Sequence, residues 1–110
     1  MLYINGNTIR MTRGDTAYLT VPITINDNED YTMGPEDTLT ISLKKTIAST
    51  KYSLQKTAIG SNVLHIAPED TSELAFGKYV YDIQLNMANG DVYTLIDVDE
   101  FEIMAEVTCE

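Results

Sequence analysis

At 110 residues, 44% of them hydrophobic, the chain has the size and apolar content of a single folded domain rather than a disordered segment. Its formal charge of −10 argues against nucleic acid and anionic membranes as partners. No apolar run approaches the roughly 20 residues of a membrane-spanning helix, and Met1 to Arg10 lacks the basic-then-apolar order of a secretory signal.

The charge is laid out unevenly. All seven basic residues lie at or before Lys78, whereas Tyr79 to Glu110 holds only acids: Asp82, Asp91, Asp97, Asp99, Glu100, Glu102, Glu106 and Glu110. The acidic C-terminal third reads as a well-solvated face, with a basic partner surface as the alternative. Cys109 is the single cysteine, so an intrachain disulfide is impossible and the chain does not need an oxidising compartment. It is expected to be an exposed tail thiol, and the initiator-like Met1 argues against a processed fragment.

Period-two alternation, punctuated by turn residues, recurs along the chain, and helical periodicity is nearly absent. An N-terminal hairpin is expected at about 2–11, turned at Asn5-Gly6, followed by a turn at Arg13-Gly14-Asp15. The next strand runs from Ala17 to Ile25, with Pro22 marking an edge or a bulge. A polar loop, Asn26 to Asp37, precedes a strand whose Leu39, Ile41 and Leu43 face inward. Lys51 to Thr57 and Asn62 to Ala67 read as a second hairpin turned near Gly60-Ser61. Pro68 to Phe76 has room for one helical turn. Lys78 to Met87 alternates most cleanly: Tyr79, Tyr81, Ile83, Leu85 and Met87 on one face, Val80, Asp82, Gln84 and Asn86 on the other. Asn89-Gly90-Asp91 turns into a strand at Val92 to Val98, and Asp99-Glu100 turns into a last one, Phe101 to Thr108. The expected fold is all-β, an antiparallel sandwich of about seven to nine strands, with residues 1–110 as one domain.

The corner before Lys78 narrows the class. In immunoglobulin-like sandwiches a tyrosine near the start of strand F bonds back to upstream backbone, two residues before a cysteine. Tyr79 has that setting, with Tyr81 in the place of the cysteine. The alternative is a merely core-facing aromatic. With no tryptophan and no cysteine pair, an antibody-type domain is excluded.

Chemistry-bearing constellations are sparse. The only histidine, His65, alternates to the solvent side of a strand, far in sequence from Cys109, so no Cys–His nucleophile is expected. Residues 26–30 and the group Asp97, Asp99, Glu100 cluster oxygen ligands, but neither has the EF-hand spacing; solvated loops are the plainer reading, with a weak calcium or glycan site as the alternative. One His and one Cys give no zinc set, and no glycine-rich phosphate loop is present. No catalytic, cofactor-binding or metal residue is therefore assigned.

The ordered set Arg13-Gly14-Asp15-Thr16, Leu39-Thr40-Ile41-Ser42-Leu43-Lys44-Lys45, Pro68-Glu69-Asp70-Thr71, Gly77-Lys78-Tyr79-Val80-Tyr81-Asp82-Ile83-Gln84-Leu85, Gly90-Asp91-Val92-Tyr93-Thr94 and Phe101-Glu102-Ile103 resembles structural proteins of tailed bacteriophages and prophages. It is most similar to the immunoglobulin-like N-terminal domains of upper baseplate proteins and to related virion accessory domains, over residues 9–108. The resemblance implies a non-enzymatic virion protein, made in the bacterial cytoplasm, that docks on other virion proteins or on copies of itself in baseplate, tail, neck or capsid. Unlike upper baseplate proteins, this sequence has no long helical and receptor-binding region after the sandwich, so a separate accessory or decoration protein fits equally. Outward positions on the strands make Tyr18, Val80, Gln84 and Tyr93 the candidate contacts. A carbohydrate-binding sandwich, kept open by seven tyrosines, and a bacterial surface adhesion module are the alternatives.

Overall fold

Period-two alternation becomes eight strands and one short helical turn in a computed structural model, which describes residues 2–23 and 33–105. The fold is all-β. The strands are β1 (Leu2–Asn5), β2 (Thr8–Thr12), β3 (Ala17–Thr20), β4 (Thr38–Lys44), β5 (Leu54–Ile59), β6 (Val63–Ile66), β7 (Gly77–Asn86) and β8 (Val92–Met104), with α1 at Pro68–Thr71. Six of them form one sheet in the order β1-β2-β8-β7-β4-β5, and β3 pairs with β6 in a second. Cys109, Val107, Thr24, Ile25 and the 26–30 cluster lie outside the described residues.

The inward positions of both sheets meet in one core. Leu39, Ile41 and Leu43 of β4 are fully buried, as are Ile83 and Leu85 of β7 and Phe101 of β8. Ile9 and Met11 of β2 extend this face, and Leu19 of β3 with Leu64 and Ile66 of β6 close it from the other sheet. Each such side chain contributes about 1.5–3 kcal/mol through the apolar surface it removes from water.

Three pairings differ from the sequence expectation. First, the large sheet is mixed, because β2 runs parallel to β8, with Ile9 opposite Phe101 and Met11 opposite Ile103. Short connections enforce antiparallel pairing, but here nearly the whole chain separates the partners and serves as the crossover. Second, β5 and β6 form no hairpin. β5 pairs with β4 and β6 with β3, so the chain changes sheets between them. Gly60, at φ +66°, makes that turn; a Cβ there would stand 3.1 Å from the Pro35 carbonyl oxygen. Beyond it, Asn62 fastens the chain to the residue just after β3: its backbone carbonyl accepts the Val21 N–H (2.9 Å) and its side-chain amide donates to the Val21 carbonyl (3.0 Å). Third, Asp99-Glu100 is no turn. β8 runs on through it, opposite Tyr81 and Val80, and absorbs two register shifts upstream. A smaller shift affects the first hairpin, whose two-residue loop is Gly6-Asn7, between paired Asn5 and Thr8.

Because Ile41 sits fully buried between β5 and β7, Ile41→Ala is expected to destabilise the domain by about 2–5 kcal/mol, and exposed Thr57→Ala by under about 0.5 kcal/mol, in urea unfolding followed by circular dichroism.

Candidate functional site

The outward side chains of β4, β5 and β7 line a groove of about 350 Å³ on the outer face of the large sheet. Thr40 and Ser42 of β4 and Val80, Asp82 and Gln84 of β7 form its floor. Ile47, Tyr52 and Val98 wall it, and all three are more than half exposed. The polar floor is ordered: the Gln55 amide donates to Ser42 Oγ at 3.0 Å, and the Thr40 and Thr57 hydroxyls meet at 3.1 Å. The Lys44 ammonium lies 5.0 Å from the centre of the Tyr52 ring, which fixes the ring at the wall. Ile47 did not stand out in the sequence, and Tyr52 was expected inside a strand from Lys51 to Thr57; β5 begins only at Leu54, so both lie in the irregular 45–53 connection, where alternation carries no information.

The four candidate contacts do not share one surface. Val80 and Gln84 lie in the groove. Tyr18 lies on the outer face of the small sheet, 63% exposed, its ring stacked on His65 at 4.6 Å. Tyr93 is no exposed aromatic: it pairs with buried Leu85 and packs half-buried against the core. Tyr93 shares the core-facing phase of Asp99 and Phe101: one register shift between Tyr81 and Ile83 and a second at Leu95, between the Ile83–Ile96 and Gln84–Thr94 pairs, cancel over that stretch.

A static network holds the corner before β7. The Tyr79 hydroxyl donates to the Ala75 carbonyl at 2.8 Å. Fully buried Thr71 accepts the Gly14 N–H at 2.8 Å. The Arg13 guanidinium sits 4.0 Å over the Phe76 ring and donates to the Leu74 carbonyl. The Arg13-Gly14-Asp15 turn is thus fastened to the corner. Asp70 accepts the Ala67 N–H at 2.7 Å and pairs with Lys56 at 3.0 Å. Burial pushes its carboxyl up, but these two partners outweigh that and hold it below its ordinary value.

Two further carboxylates are structural. Buried Asp37 accepts N–H bonds from Gly34 (2.8 Å) and Ala88 (2.9 Å), tying the 33–37 turn to the loop after β7. Its position after Gly34-Pro35 is a turn signal, but the bond to Ala88 left no trace in the sequence. Asp99 turns to the core side, near Tyr81, and accepts from the Thr8 hydroxyl (3.3 Å) and the Glu100 N–H (2.7 Å). Glu100 instead faces outward toward Lys78, so the acids at 97–100 diverge. Among the described residues, no three His, Cys, Asp or Glu side chains gather to hold a metal ion, and no helix is long and apolar enough to cross a membrane.

Tyr81 is only 2% exposed, and its hydroxyl donates to the Asn7 carbonyl of the first hairpin. Burial, followed by the Asp99 carboxylate, pushes its phenol up to about 12. Compared with protein-family models and with curated proteins, the chain matches none.

The raised phenol sets an alkaline limit. Folding favours the protonated form, so this stabilisation is complete below about pH 10 and is lost as pH rises through about 12. Urea titrations between these values are expected to show a loss of about 2 kcal/mol. In Tyr81→Phe most of that pH dependence disappears, and the smaller remainder belongs to Tyr79, which burial also raises.

Proposed function

We propose that the chain is a non-catalytic, immunoglobulin-like structural domain of a tailed-phage or prophage virion, docking on other virion proteins. The observation that carries this reading is the strand arrangement. Strands β3 and β6 pair as B and E do in immunoglobulin-like sandwiches, and β4, β7 and β8 lie together as C, F and G, with β5 added beside β4 as C′. The bond from Tyr79 to Ala75, at the start of the F-like strand, supports the same class. The order of motifs that resembles virion accessory domains lies on this frame.

Docking is assigned to the outer face of the small sheet. Tyr18 there is a large aromatic already ordered by His65, so little rotamer entropy remains to be lost on binding. A net charge of −10 disfavours self-association and favours a basic partner surface.

In a host strain that encodes the chain, its gene is expected among capsid and tail genes, and mass spectrometry is expected to find it in purified particles. Tyr18→Ala, checked for folding by its melt, is expected to enter particles about tenfold less. Absence of the wild-type chain from particles overturns the virion reading. Undiminished entry of Tyr18→Ala overturns the assigned face.

A further inference from the structure

The groove on the opposite face has a chemistry of its own. Its floor offers hydroxyls from Thr40 and Ser42 and amides from Gln84 and Asn86, groups that both donate and accept. The charged groups lining it balance, one ammonium at Lys44 and one carboxylate at Asp82. One wall is the Tyr52 ring, with its apolar face and polar tip. The volume of about 350 Å³ falls among small-ligand sites.

Other occupants fit this lining less well. An added peptide strand needs free backbone N–H and C=O groups, yet β4 is paired on both sides by β5 and β7, and β7 by β4 and β8. The groove therefore offers only side chains. A polyanion meets a protein of charge −10 and a single balanced cation. A purely apolar ligand would leave the floor amides and hydroxyls desolvated without partners, at a cost of about 1–3 kcal/mol each. What remains is a neutral ligand dense in hydroxyl groups, with a C–H face to lay against an aromatic ring.

We infer that this groove binds a short stretch of neutral oligosaccharide, its hydroxyls paired with Thr40, Ser42, Asp82, Gln84 and Asn86 and one sugar ring packed against Tyr52. The site is separate from the Tyr18 face, so the domain can dock with one sheet and hold glycan with the other.

The test is a titration of the isotope-labelled full chain with neutral oligosaccharides of gluco, galacto, manno and rhamno configuration, followed by amide chemical shifts. At least one is expected to shift the amides of β4 and β7 around the groove and to leave those of Tyr18 and His65 unmoved. Tyr52→Ala and Gln84→Ala, both at surface positions, are expected to weaken that binding about tenfold each, whereas Tyr18→Ala leaves it unchanged. No shifts across the panel, shifts outside the groove, binding indifferent to both groove substitutions, or binding of charged glycans alone overturns the inference. None of these outcomes bears on particle entry, so the docking proposal stands or falls separately.

Discussion

The alternation of β7 is the constraint on which the rest of the molecule depends. This ten-residue strand lies between β4 and β8. Its odd positions, Tyr79, Tyr81, Ile83 and Leu85, are buried in the core. Its even positions, Val80, Asp82, Gln84 and Asn86, line the groove. A strand has only two faces, so any slip by one residue would exchange core for groove. Register is held from both ends. Tyr79 ties the start of the strand to the corner at Ala75, and Asp37 ties the loop beyond its end through Ala88.

The two tyrosines show how a core can be fixed without a disulfide. Tyr81 is buried two residues after Tyr79, and its hydroxyl reaches the first hairpin at Asn7. Its ring meets Phe101 edge-on at 5.9 Å, so one side chain joins β7, β8 and the β1–β2 loop. Burial of both hydroxyls is tolerable because each has a backbone carbonyl to donate to.

Where alternation was undisturbed, the sequence was readable. The inward sets of β4 and β7 and the outward placing of Tyr18 and His65 follow from period two alone. It was unreadable where the backbone departs from that period. In β8 two bulges shift the phase twice within the expected Val92–Val98 strand, and the strand runs on through Asp99-Glu100 in the phase of Phe101, so Tyr93 faces inward; an extra residue flips the phase without changing composition. The exchange of sheets at Gly60 looked like a hairpin turn because a glycine-serine pair serves both. The groove itself was hidden for a different reason. Val80 and Gln84 could be named as outward, but the concavity comes from sheet curvature and from Ile47 and Tyr52, which arrive from an irregular connection.

The chemical contrast between the two outer faces rests on that same frame: an ordered aromatic pair on one side, and a polar groove with an aromatic wall on the other. The most direct test of the account is a cysteine-accessibility scan along β7 in a Cys109→Ser background, with single cysteines at positions 79 to 86 labelled under native conditions. The account predicts period two: rapid labelling at 80, 82, 84 and 86, and labelling at 79, 81, 83 and 85 only at the rate of unfolding. Uniform labelling along the strand, or the reverse phase, would contradict it.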